Sequence, residues 1–184
     1  MSDTFNSPRR VLVTGASGFI ARAVCAACFD LSIDVVAAVR ERGKAPTESA
    51  KSVSVGDIGF EQNWSEALRD VNVVVHLAAH THRLRRRGDD TLEEYRRVNV
   101  EATEALARQA LVAGVQRFVF MSSIKVNGEM SEIGSNGTPR LMTADDSPRP
   151  EGAYGQTKWE AEEVLREVVS EGGMQLVVLR PPAI

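Results

Sequence analysis

No apolar run in this 184-residue chain approaches the roughly 18 residues that a membrane-spanning helix needs. The opening MSDTFNSPRR has no apolar leader core either, so the reading is a cytoplasmic protein. Positive charge is not in excess: 22 Lys and Arg stand against 25 Asp and Glu, a formal net charge of -3, so nucleic acid is not an expected partner. Cysteine is scarce. The two present, Cys25 and Cys28, form CAAC. A redox pair of that spacing opens a helix after a strand, whereas this one falls mid-helix in an alanine-rich apolar run and reads as two small core residues. Histidine offers no ligand set: His80 and His82 in AAHTHRL have no third ligand nearby, so no metal is expected and both should edge a cleft. His76 lies in an apolar strand and reads as a satisfied core histidine. Repeats of solenoid length and low-complexity tracts are also lacking.

What is present has the size of a single domain, residues 1–184, with 43% hydrophobic and 26% charged residues, a globular composition. Short β-branched runs alternate with helical segments. RRVLVTG (Arg9 to Gly15), DVVAAVR (Asp34 to Arg40), KSVSVGDI, VNVVVHLAA (Val71 to Ala79), QRFVFMSS and MQLVVLRPP predict six strands. VNVVVHLAA is apolar enough to be buried on both faces. SGFIARAVCAACFDL predicts a helix with Ile20, Val24, Ala27 and Leu31 on its apolar side, and FEQNWSEALRD one with Trp64 and Leu68 on one side. TLEEYRRVNVEATEALARQALVAGV predicts one long helix ended by Gly114, with a largely core stripe of Leu92, Tyr95, Val98, Ala102 and Leu106. AYGQTKWEAEEVLREVVSEGG predicts the last helix. Alternation of this kind gives an α/β fold, a doubly wound parallel sheet of about six strands with helices on both faces. The stretch Asn127 to Gly152 resists regular structure, and loops of that length usually serve a site; it should wall a substrate pocket.

VLVTGASGFIA joins the first strand to the first helix. Gly15 permits a sharp turn, Gly18 a close backbone approach, and the helix start beyond them would face a pyrophosphate. Ala21 stands where a third glycine often sits. The spacing G-x-x-G-x-x-A departs from G-x-G-x-x-G, and a glycine turn that binds nothing is the competing reading. At the end of the second strand, AAVRERGK puts Arg40 where NAD-binding proteins carry an acidic residue, with Arg42 and Lys44 behind it. That pattern favours NADP(H), with NAD(H) as the alternative; a solvated charged loop would look similar. Farther on, AYGQTK sets Tyr154 and Lys158 one helical turn apart. The lysine would stabilise a phenolate and lower the tyrosine pKa toward neutrality. A plain helix terminus with two amphipathic side chains reads the same from that motif alone.

TGASGFIA, FVFMSSIKVNGE and YGQTK, together with VVHLAA, RRVNVEAT and LRPPAI, resemble in order and over nearly the whole chain the extended short-chain dehydrogenase/reductase superfamily, its NAD-dependent epimerase/dehydratase group. SSIKVNGE after RRVNVEAT is similar to the branch of nucleotide-sugar 4-keto reductases and epimerases of polysaccharide biosynthesis. The resemblance implies a Rossmann domain in which Tyr154 is the acid/base, Lys158 its partner and Ser123, beside Ser122, the catalytic hydroxyl. It implies cofactor contacts from Gly15, Ser17, Gly18, Phe19, Ile20, Arg40, Asp57, Ile58, Leu77, Ala78, Ala79, Asn99, Lys158 and Pro181. Asn127 departs from a tyrosine common in relatives and points toward the ketoreductase-like side. Relatives continue into a smaller substrate domain, so most of that domain is expected to be absent here, with little or no turnover by this chain. Relatives also pair helices across a two-fold axis, which implies a homodimer. RLRRRGDD reads as a solvated loop or as a grip on the diphosphate of a nucleotide sugar. The implied activity is reduction of a 4-keto nucleotide sugar; the alternatives are a 4-epimerase or dehydratase with tightly held NAD, and a silent dinucleotide sensor.

Overall fold

The computed structural model describes residues 10–41, 43–49, 51–81, 91–131, 133 and 137–182. Six strands form one sheet: β1 (Arg10–Thr14), β2 (Asp34–Val39), β3 (Lys51–Ser54), β4 (Val73–His76), β5 (Arg117–Met121) and β6 (Gln175–Leu179), in the order β3-β2-β1-β4-β5-β6. Every pairing is parallel, with Thr14 opposite both Ala38 and His76, and Met121 opposite Leu179. The chain therefore winds outward one way from β1 and then the other way from β4. Between those two strands lies the switch point, where crevices open in such sheets.

Helix α1 (Phe19–Asp30) covers one face, packing Ala21 and Cys25 on Val11, Val13, Val35 and Ala37. On the other face α3 (Ala102–Val112) and α4 (Gly152–Ser170) press Leu106, Ala110, Ala161 and Leu165 onto Leu12, Val74, Phe118 and Phe120. Burial of this kind, at about 25 cal/mol per Å² of apolar surface, is what holds the layers together.

Four sequence expectations change. The inner side of α1 is Ala21 and Cys25 with Val24 and Cys28, while Ala27 is exposed and Leu31 is 72% exposed, because Leu31 already lies past the last turn. Residues 60–70 make turns rather than a helix. Leu68 N reaches Trp64 O in one helical bond, but Asp70 adopts a left-handed backbone (φ 59°) that ends it. Gln109 of α3 replaces the missing bonds, accepting from Trp64 N at 2.8 Å and donating to Gln62 O at 2.8 Å. The long helix is interrupted: α2 (Leu92–Arg96), opened by a reciprocal cap between Thr91 and Glu94, passes through a π-helical turn (Arg97–Glu101) into α3. Lastly, β4 buries Val74 and His76 but only half-buries Val73 and Val75, since α1 lies over the β1–β2 side of that face. No helix among the described residues is long and apolar enough to cross a membrane.

Candidate active site

β1 ends at buried Thr14, and the chain turns through Gly15 with φ 63°. Gly18 N donates to Gly15 O at 2.8 Å, closing the turn, and α1 starts at once. A Cβ on Gly15 would stand 3.0 Å from both Cα and N of Ala78, so the turn lies backbone against backbone on the segment after β4. The start of α1 has no side-chain cap and no acidic residue in its first turn. Its leading N–H groups and the positive end of the helix dipole are thus left for an anion.

A buried relay fixes this turn. The Thr14 hydroxyl accepts from Leu77 N and Ala78 N, each at 3.2 Å, so its own proton goes to His76 Nδ1 at 2.7 Å. His76 must then carry its proton on Nε2 and donate to Thr103 Oγ1 at 3.0 Å. Burial, helped by the nearby Lys158 charge, pushes the His76 pKa down to about 3, consistent with a neutral ring. His76 is the satisfied core histidine expected.

Beyond the strand ends opens a cleft of about 830 Å³. Gly15, Ser17, Gly18, Phe19, Ile20 and Ala21 wall it on the α1 side, Arg40, Asp57 and Ile58 at the β2–β3 end, and Leu77, Ala78, Ala79 and His80 after β4. Both cleft cations that the sequence offered to a phosphate are already paired: Arg40 Nε lies 2.8 Å from Asp57, and Lys44 Nζ 2.9 Å from Glu41. Arg42, His82 and the run RLRRRGDD lie outside the described residues. Among the described residues no group of three or more His, Cys, Asp or Glu could hold a metal.

Ser123, Tyr154, Lys158, Asn99 and Pro181 do not line that cleft: Ser123 and Pro181 follow β5 and β6, Tyr154 and Lys158 lie on α4, and Asn99 sits in the π-helical turn. Ser123 is half-buried on an extended backbone, and its hydroxyl accepts from Lys125 N at 3.3 Å. Pro181 O accepts from Ile124 N at 2.9 Å, clamping β6 to that corner. Gly155 lets α4 come close, since a Cβ there would stand 2.8 Å from Lys125 O. Asn99, in the π-helical turn, bridges the two regions: its side chain takes His80 N at 2.7 Å, gives to His80 O at 3.1 Å and gives to Thr157 Oγ1 at 3.1 Å. Thr157 lies between Tyr154 and Lys158 on α4, so one amide ties the cleft wall to the candidate catalytic helix. A π turn at a functional site is a recurrent device.

Lys158 corrects an expectation. Its ammonium does not lower the Tyr154 pKa here. Burial pushes the Tyr154 phenol up, with the Tyr95 phenol adding to it. The Lys158 Nζ donates to Met121 O at 2.7 Å and lies 4.5 Å over the Phe120 ring. A buried ammonium needs an acceptor, and the β5 carbonyl is the one it reaches. Burial brings its pKa down to about 7 against the opposing pull of Glu162. Tyr154 remains half-buried, beside Tyr95, whose ring packs edge-on against His80 at 4.6 Å on the cleft wall.

Sequence reasoning passed over Arg97 and read Val98 as core; both line the cleft, two positions and one position before Asn99 in the same motif. It also missed Glu162 and Arg180. The spacing K-x-x-x-E in TKWEAEE, one further turn along the Tyr–Lys face, was the available signal. Among the described residues of 127–151 there is no helix or strand apart from one isolated bridge, Ile133 with Pro139, and residues of this stretch line a separate cavity of about 350 Å³.

Residues 11–184 match the NAD dependent epimerase/dehydratase family. The UDP-glucose 4-epimerase of Vibrio cholerae is 34% identical over 174 residues, which is 95% of this chain and 51% of that protein. The 3-beta-hydroxysteroid dehydrogenase of Mycolicibacterium neoaurum is 30% identical over 181 residues, 95% of this chain and 47% of its own length. Among solved structures, MoeE5 in complex with UDP-glucose and NAD superposes with a TM-score of 0.74 at 35% identity, covering 92% of this chain and 52% of that one. The chain thus spans about half the length of the curated relatives it matches. An uncapped glycine turn at the switch point of a β3-β2-β1-β4-β5-β6 sheet agrees with these likenesses, and the chain belongs to the NAD dependent epimerase/dehydratase family.

Proposed function

We propose that this domain binds a nicotinamide dinucleotide and interconverts a secondary alcohol and a ketone on a nucleotide sugar, with Tyr154 as acid/base. One observation carries the reading: the Gly15 turn is packed on the Ala78 backbone too closely for any Cβ and leads straight into an uncapped helix start. Gly15, Ser17, Gly18, Phe19 and Ile20 would hold the diphosphate, Arg40, Asp57 and Ile58 the adenosine end, and Leu77, Ala78, Ala79, Asn99, Lys158 and Pro181 the nicotinamide half. The dinucleotide supplies hydride acceptance and donation when bound. The Ser123 hydroxyl holds the reacting oxygen. Tyr154, a neutral phenol with its pKa raised, donates the proton when a ketone is reduced. In the oxidative direction it must accept one, and Lys158, which donates to Met121 O here, would stabilise the phenolate only by leaving that carbonyl.

The likeness to a UDP-glucose 4-epimerase and to a 3-beta-hydroxysteroid dehydrogenase supports this reading. Net reduction of a 4-keto sugar and 4-epimerisation differ in whether the dinucleotide is consumed. We favour epimerisation with NAD. Arg40 is already paired with Asp57, whose carboxylate opposes a 2′-phosphate, and the MoeE5 complex holds NAD with UDP-glucose. Titration with NAD and NADP, and mass spectrometry of any dinucleotide that copurifies, test the binding. Incubation with UDP-glucose tests the reaction: a C4 epimer formed without net change in NAD supports this reading, and stoichiometric oxidation of reduced dinucleotide supports the reductase.

A further inference from the structure

Glu162 is completely buried one helical turn beyond Lys158. Arg180, at the end of β6, grips it with two bonds, Nε to Oε1 at 2.9 Å and Nη2 to Oε2 at 2.6 Å. Arg166 of α4 adds a third at 2.9 Å, and the buried Ser122 hydroxyl donates to Oε1 at 2.6 Å. Arg180 also donates to Asn127 Oδ1 at 3.3 Å, and both guanidinium groups lie over the Trp159 ring, at 5.1 Å and 5.8 Å. A single carboxylate therefore ties together the ends of β5 and β6 and the middle of α4. Burial by itself would push its pKa up, but the bonds from Arg180, Ser122 and Arg166 prevail and hold it below the usual carboxylate range.

Two consequences meet at the candidate active site. Ser122 is anchored immediately before Ser123, so the bond to Glu162 fixes the strand end that presents the Ser123 hydroxyl. Lys158 lies on the same helical face as Glu162, in surroundings that otherwise expel its proton. We propose that Glu162, held by Arg180 and Arg166, is a positioning residue for this site: it sets the end of β5 that bears Ser123 and supplies the buried negative charge one helical turn from Lys158. The inference deepens the function proposed above and rests on that reading of Lys158 and Ser123. The groups facing Glu162 are Ser122 just past β5, Arg180 just past β6, and Lys158 and Arg166 from α4; Lys158 also faces neutral His76 from β4.

The test reads the ionisation of Lys158 directly, in the protein without dinucleotide, from the carbon NMR titration of lysine side chains, with the Lys158 signal assigned by its loss in Lys158→Arg. Glu162→Gln keeps the shape and the Ser122 bond but deletes the charge. The midpoint of Lys158 should then fall by about one pH unit. Arg166→Gln, at a half-exposed position, deletes an opposing charge and should raise the midpoint. Shifts of opposite sign support the proposal. A midpoint that stays put in both variants, or moves the same way in both, overturns it even if their melting temperatures drop, since a purely structural role predicts only the drop. Should Glu162→Gln fail to fold, the Arg166→Gln shift alone decides: an upward move supports and no move overturns. NAD titration of the parent protein checks the underlying reading separately, because absence of binding there contradicts the function while the Lys158 midpoints still report on Glu162.

Discussion

Replacing Gly15 by alanine puts two separable costs on the same residue. The backbone there has φ 63°, and an L-residue held in that region costs about 1–2 kcal/mol. The new methyl would also stand 3.0 Å from two backbone atoms of Ala78 and 3.2 Å from the carbonyl carbon of Leu77, none of which can swing aside as a side chain would. Separating them is an overpacking strain of about 1–3 kcal/mol. Together these give about 3 kcal/mol, or a fall of about 10 °C in Tm for a domain of this size. Gly114 is the internal control: its φ is 78°, but a Cβ there meets nothing within 4 Å and it lies away from the cleft. Gly114→Ala should therefore show the conformational cost alone. Thermal unfolding by circular dichroism gives the difference, and dinucleotide titration well below both transitions should show at least a tenfold loss for Gly15→Ala only, about 1.4 kcal/mol. Equal Tm values for the two variants, or intact binding by Gly15→Ala, would refute the argument from close approach.

Tyr154→Phe should leave dinucleotide affinity within about twofold while lowering turnover by at least about a hundredfold, the range of a lost acid/base; steady-state kinetics of the parent and variant check it. His76 sets a pH dependence with a definite sign. Its folded pKa of about 3 lies below the ordinary value of 6.5, so between those values the unfolded chain binds the extra proton and stability falls as pH falls, by about 1.4 kcal/mol per unit. From about pH 6.5 to about pH 5, before the carboxylates titrate, that amounts to about 2 kcal/mol, and denaturant melts of His76→Gln should lack the slope. Asp57→Asn releases Arg40 and should move preference from NAD toward NADP, whereas Arg40→Ala should weaken NADP and leave NAD nearly unchanged; paired titrations decide. Gly155→Ala should disturb catalysis more than dinucleotide affinity, because its Cβ would push α4 off Lys125 O at 2.8 Å, on the Ser123 side rather than the cleft side.

The sheet was legible because each strand is a short β-branched run ended by a turn residue, and the glycine turn announced the crevice. The segment around Trp64 misled because its buried residues, Trp64, Ala67 and Leu68, follow helical spacing while its backbone bonds are supplied by Gln109, a partner 45 residues away in the chain. The π turn at Asn99 leaves no mark on apolar periodicity; its purpose is visible only when His80 and Thr157 are seen to share one amide. Most residues that wall the cleft sit next to glycine or strand ends, so motif reading reached them, though not Arg97. The partners of those residues were hidden. Asp57 beside Arg40, and Met121 O beneath Lys158, are tertiary pairings that local spacing does not encode, and each changes the chemistry expected of its partner.

Amide NMR of the protein during addition of NAD addresses the central claim at the atoms concerned. The account predicts saturable shifts concentrated at the N–H groups of Gly15 to Ile20 and of Leu77 to Ala79. Saturation with those signals unmoved, or no response from a folded protein, would contradict it.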